Sequence, residues 1–330
     1  MKKILLAFLF NFFVFNASFS QQKFSVSKFI TPVDSFNKHR FWEVNGTCAG
    51  TFGVAMIGLN YAWYANYPRS SFHFFNDDKE WLQMDKCGHS WTAYNEAFIA
   101  STMYQWAGVS QRKAAIYGAA WGFTLQLTIE ILDGLSKEWG FSPGDATANT
   151  FGAGLFLGNE LLWRDQRVRL KFSTTRRTYD DATLEQRANE LYGASLPERI
   201  LKDYNAQSYW LSFNIASFLN KENHFPKWLN VAVGYGADNM FGAVKNSWSY
   251  DVNGKPLDDY YAGNAFKPVD YSSLTRYRQF FLSPDIDFTK IKTKHRMLRN
   301  LFMLMNVIKL PAPTLEYNTL HQTKFHWLLI

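Results

Sequence analysis

Three polar groupings interrupt an otherwise apolar stretch: Asp85, Lys86 and His89; Glu130 and Asp133; Asp145 and Asn149. Within each group the key spacing is three or four residues, so on a helix its members share a face. Crowded carboxylates hold protons near neutral pH, and His89 beside Asp85 or Glu130 can serve as general acid or base. An imidazole among carboxylates is also a ligand set for a divalent cation. Asp85, His89, Glu130, Asp133, Asp145 and Asn149 are therefore the candidate catalytic residues. Lys86 is the candidate anchor for an anion or lipid head group. These residue types single out no particular metal or cofactor.

A structural reading stands beside this one. Ser142-Pro143-Gly144-Asp145 has the form of a helix start, with Ser142 as cap, Pro143 in the first turn and Asp145 near the cap. Glu130 with Lys86, or Asp133 with His89, would serve as interhelical ion pairs. On the first reading the layer is a functional cluster. On the second it is polar glue that fixes helix register.

The elements that must position these residues are four apolar segments, Val44–Pro68, His89–Ala107, Ala114–Ile129 and Ala146–Asn159. Short connections make the neighbours antiparallel, which predicts a four-helix bundle. The start of the second segment, the end of the third and the start of the fourth then share one end, and the polar groups converge there. Gly118/Gly122 and Gly154/Gly158 are small-xxx-small pairs of the kind that lets helices approach closely in membranes. The fourth segment, however, spans only about 21 Å as a helix, against about 30 Å of hydrocarbon.

After Arg164 the composition becomes polar and basic. Arg167–Phe172 alternates with the period of a half-buried strand. Further strands are expected at Tyr209–Ala216, Leu229–Tyr235, Tyr277–Ser283, Thr314–Asn318 and Phe325–Ile330. One amphipathic helix is expected at Lys294–Lys309, ended by Pro311. A polar helix and linker are expected between Thr178 and Asn205. The fold class is thus α+β, a membrane-associated helical bundle at residues 44–163 followed by a β-rich region at 208–330, with a basic linker at 164–207.

The N-terminus reads as an address. Lys2 and Lys3, the apolar run Ile4–Phe15 and the small residues Ser18 and Ser20 have the form of a secretory signal at residues 1–20, a membrane anchor being the alternative. An extension follows at 21–43. No cysteine follows the expected cut, so a lipid-anchored N-terminus is not expected. With 35 basic and 28 acidic residues the charge is mild and spread out, which argues against nucleic acid as a partner. Two cysteines exclude a disulfide framework, and free thiols at Cys48 and Cys87 are expected because the segment starts lie at opposite ends of the bundle. A secreted N-terminus with four spans would leave Arg164–Arg177 outside the inner membrane, against the positive-inside preference. A location at the periplasm or outer membrane conflicts with neither rule.

The pattern Asp85-Lys86-x-x-His89, Glu130-x-x-Asp133-Gly134 and Ser142-x-x-Asp145-x-x-x-Asn149-x-x-Gly152 resembles an uncharacterised envelope family that includes YfiM, described as predicted periplasmic lipoproteins. The likeness covers roughly residues 80–165. The C-terminal half, with Ala232–Ala237 and Leu282–Asp287, resembles the longer, Bacteroidetes-type members. The motif order is more loosely similar to VanZ-like membrane proteins, which implies a small helical bundle linked to the cell envelope. The lipid phosphatase superfamily is a poor match, because its phosphate-cradling arginines have no counterpart in the converging layer. These readings give an envelope protein with membrane lipid or envelope proteins as partners. Its expected role is structural or interactive, or alternatively that of a lipid- or glycan-directed enzyme using the His/Asp/Glu cluster.

Overall fold

A computed structural model describes residues 30–62, 68–220, 222, 224–250, 256–257 and 267–329. The signal reading at 1–20 lies outside these residues. Seven α-helices and nine strands make up the described part, a mixed α+β architecture with the helices first. They are α1 (Lys38–Ala62), α2 (Met84–Trp106), α3 (Gln111–Asp133), α4 (Pro143–Trp163), α5 (Ala182–Tyr192), α6 (Leu196–Lys202) and α7 (Arg296–Met305).

Helices α2, α3 and α4 form the tight part of the bundle. Their contact is made by small residues, with Ala93, Ala97, Ala115 and Ala119 all buried. A Cβ at Gly118 would lie 2.4 Å from the carbonyl oxygen of Ala97, and one at Gly122 would lie 2.6 Å from that of Ala93. The backbones can approach so closely only because those side chains are absent. The second small pair behaves otherwise: Gly154 and Gly158 face open space. Helix α1 joins more loosely. Val44 is buried against Tyr104, Val109 and Ala114, while Val54 and Ile57 farther along α1 are exposed. The amphipathic stretch expected at Lys294–Lys309 appears as α7, and Met297, Leu301 and Leu304 on it are exposed.

Residues 164–207 hold built structure: β1 (Val168–Thr174), then α5 and α6, each capped by its own side chains. The other strands of the main sheet are β2 (Gln207–Phe213), β3 (Leu229–Asp238), β7 (Tyr277–Ile286), β8 (Ala312–Asn318) and β9 (Thr323–Leu329), all antiparallel in the order β1-β2-β3-β7-β8-β9. A small second sheet, β5-β4-β6, joins Pro256–Leu257, Ser247–Tyr250 and Lys267–Asp270; the sequence pattern gave no sign of it.

The register of the main sheet sorts its two faces sharply. Leu170, Leu211, Val233, Leu282, Leu315 and Phe325 are successive cross-strand partners on one face. Ser173, Ser208, Gly236, Gln279 and Asn318 form such a row on the other. The face with the polar row is the buried one, and Trp210 and Phe281 lie buried on it as well. On it the Lys171 ammonium pairs with Asp285 at 2.8 Å, and His326 with Glu316 at 2.7 Å. The bundle covers the apolar face over β1 and β2, where Leu170 and Leu211 pack with Tyr94 and Phe156.

Both cysteines are free and half-buried. Burial pushes the Cys48 thiol up to about 11 and the Cys87 thiol up to about 12, so both stay protonated and unreactive.

Candidate functional site

The polar layer forms where the start of α2, the end of α3 and the start of α4 meet. Ser142 caps α4, its Oγ accepting from the Asp145 N–H at 3.0 Å, with Pro143 in the first turn. A close approach then sets the register between α4 and α2. A Cβ at Gly152 would lie 2.1 Å from the carbonyl oxygen of Ser90, so glycine there lets α4 settle onto α2. One turn earlier on α4, Asn149 comes beside His89.

The layer divides into two halves of different character. In the first, the Lys86 ammonium donates to Asp77 Oδ1 at 2.7 Å, Asp145 Oδ1 at 3.0 Å and Asp85 Oδ2 at 3.2 Å. An ammonium has three N–H groups, and all three are used on carboxylates. Although burial works against its charge, Asp85, Asp77 and Asp145 hold the Lys86 pKa above its usual value. Lys86 was expected to bind an anion or head group. Instead it is enclosed by three acids, with no donor left to offer one. Ser142 Oγ completes this half by donating to Asp77 Oδ1 at 2.6 Å.

The second half surrounds His89. Its Nδ1 lies 3.2 Å from Asn149 Oδ1 and 3.5 Å from Glu130 Oε1, and its Nε2 lies 3.9 Å from Asp145 Oδ2. The last two distances are too long for hydrogen bonds. Glu130 Oε1 and Asn149 Nδ2 are buried with no hydrogen-bond partner, as is Asp85 Oδ1 in the first half. Glu130 is 1% exposed and Asn149 is 0% exposed, so these are true interior orphans. One ligand atom each from His89, Glu130 and Asp145 lie within 4.8 Å of one another, and the same holds for Asp77, Asp85 and Asp145.

Burial and neighbouring charge set the protonation. Burial first, then the Asp145 and Asp133 carboxylates, push Glu130 up to about 8. Burial also carries Asp145 up to about 6, against the pull of His89, and raises Asp85. Asp77 goes the other way: despite burial, hydrogen bonds from Asp145, Lys86 and Ser142 hold its carboxyl below the usual range. The layer therefore holds protons at neutral pH, as crowded buried acids must.

The structure thus brings together Asp85, Lys86, His89, Glu130, Asp145 and Asn149. Asp133 is half-buried and adds its charge to the field at Glu130, but it joins neither ligand group. Asp77 and Glu80 were missed, and burial pushes Glu80 up to about 7. The signal for both was the charged run Asp77-Asp78-Lys79-Glu80, isolated in a charge-poor region. Glu96 lies apart, accepting from Gln126 at 2.9 Å.

A strained turn leads into the site. Trp81, Leu82 and Gln83 carry φ of 45°, 50° and 64°, left-handed values that non-glycine residues seldom adopt in succession. The β-rich region holds this turn. The Tyr235 hydroxyl donates to the Leu82 carbonyl at 2.5 Å, the Trp81 N–H to Ala243 O at 2.7 Å, and Arg278 to Gln83 Oε1 at 2.7 Å.

No curated protein and no solved structure matches this chain. A family model does match, over residues 73–158, a span that takes in every residue of both ligand groups. Those residues match the family described as predicted periplasmic lipoprotein (DUF2279), which supports a place in the cell envelope.

Proposed function

We propose that the chain is an envelope protein whose bundle end is a divalent-cation centre, with His89, Glu130 and Asp145 as ligands. One observation carries this reading: the orphaned Glu130 Oε1, buried and aimed at His89 and Asp145. A structural ion-pair layer satisfies its members, because an unpaired buried polar atom costs about 1–3 kcal/mol. A cation between the imidazole and the two carboxylates would satisfy that oxygen. Three protein ligands leave a coordination position open, the arrangement of catalytic rather than closed structural sites. Asn149 Nδ2, also orphaned, is a donor available to an oxygen held in that position. One nitrogen and two carboxylate oxygens suit zinc or manganese better than calcium. The chemistry this set would support is metal-assisted hydrolysis of an envelope lipid or glycan.

The test is metal binding by the purified chain after chelation and dialysis, read by calorimetry with zinc and with manganese. Stoichiometric binding that falls at least about tenfold in Glu130→Gln and in His89→Ala is expected. Absence of binding, or affinity unchanged in both variants, overturns the proposal.

The structural reading is favoured by a different observation, the fully engaged Lys86. That half of the layer supports a role in fixing the helix ends, with His89 and Glu130 carrying the chemistry.

A further inference from the structure

The outer face of the main sheet is inverted relative to a water-facing sheet. An antiparallel sheet with one solvated side puts polar residues out and apolar residues in. Here β8 alternates with Thr314, Glu316 and Asn318 buried and Leu315 and Tyr317 exposed, and β7 alternates likewise, with Ser283 and Asp285 buried and Phe280 and Leu282 exposed. Charged pairs, beside Trp210 and Phe281, occupy the interior while leucine meets the exterior. That is the alternation of a strand whose outer face meets hydrocarbon.

The cross-strand rows give this face an order. The aliphatic row runs from Leu170 beneath the bundle to Val233, Leu282, Leu315 and Phe325, where the bundle no longer covers it and exposure reaches 56%. One pleat along lies an aromatic row, Tyr209, Tyr235, Phe280 and Tyr317, and one pleat beyond that on β7 is Arg278. Aliphatic, then aromatic, then basic is the sequence from acyl chains to head groups. The strand residues facing outward on β3, β7, β8 and β9 include no carboxylate, and the charged residue among them is the basic Arg278. This charge matches anionic phospholipid.

From these rows we infer that the exposed part of this sheet face is a seat for a phospholipid bilayer, with Leu282 and Leu315 against acyl chains and Tyr235 and Arg278 toward the head groups. The inference does not depend on the cation centre. If both hold, that centre lies on the head-group side, since Arg278 bonds Gln83 at the entrance to α2.

The experiment uses the full chain and vesicles of phosphatidylethanolamine and phosphatidylglycerol, some containing lipids brominated along the acyl chain. Leu282→Glu with Leu315→Glu should lower partition at least about tenfold, since a charge on a lipid-facing strand position costs kilocalories. Both positions are about half exposed, so circular dichroism should be unchanged. Trp327, 78% exposed on β9, supplies a local reading. Trp327→Phe should remove part of the quenching by brominated lipid. Partition unaltered in the double variant, or quenching identical with and without Trp327, overturns the inference. So does a vesicle-independent dimer that the double variant converts to monomer, because a second copy would then be what covers the face.

Discussion

If the two halves of the polar layer differ as described, two substitutions a few ångströms apart should differ sharply in their cost. Lys86→Met removes the ammonium on which Asp77, Asp85 and Asp145 converge within 3.2 Å. Stripping one partner from a buried ionic cluster costs about 3–5 kcal/mol. Glu130→Gln removes a carboxyl that, at a pKa of about 8, is already mostly protonated at neutral pH, and replaces it with a neutral group of the same shape. In the metal-free protein this change should cost less than about 1 kcal/mol at pH 7. Its larger effect is on pH dependence. The Glu130 pKa lies at about 8 in the fold against 4.5 for the free side chain, so the folded state binds more protons through that window. The stabilisation is complete below the lower value and is lost as pH rises toward 8, at up to about 1.4 kcal/mol per pH unit. Glu130→Gln should flatten that decline and be the more stable protein at pH 9. The assay is urea unfolding followed by circular dichroism in the presence of chelator at several pH values. Equal destabilisation by Lys86→Met and Glu130→Gln at pH 7, or an unchanged slope in Glu130→Gln, would refute the division of the layer.

Three further outcomes are expected. Metal affinity measured by calorimetry should rise between pH 6 and pH 9, because Glu130 and Asp145 must lose protons to become ligands; a flat profile would count against them. Gly152→Ala should destabilise by about 1–3 kcal/mol and weaken metal binding together, since its Cβ would meet the Ser90 backbone and push α4, with Asp145 on it, away from His89; thermal denaturation and calorimetry give the two readings. Tyr235→Phe should release the left-handed turn at Trp81–Gln83 and speed amide exchange at the start of α2, measured by hydrogen–deuterium exchange, while leaving the main sheet protected.

Much of the site was legible because helical geometry is local. Three- and four-residue spacings put Asp85 with His89 and Asp145 with Asn149 on common faces, and short antiparallel connections brought three helix ends together. The strands of the main sheet were legible from two-residue alternation. Asp77 was not, because a loop residue has no periodicity to announce where it folds back. The contrast between Gly118, whose missing side chain lets α3 touch α2, and Gly154, which faces open space, was equally hidden. The two glycines look alike in sequence, and only the packing partner distinguishes them.

The order of elements, the mixed architecture and the convergence of charge at one bundle end all follow from periodicity and chain reversal, which the residues alone carry. Which charges are satisfied depends instead on the packed fold. It spent Lys86 on three aspartates and left Glu130 Oε1 open, a matter of side-chain distances that no spacing rule contains. It also decided which face of the sheet is interior. Alternation makes two faces, and only the covering chain determines which of them water reaches.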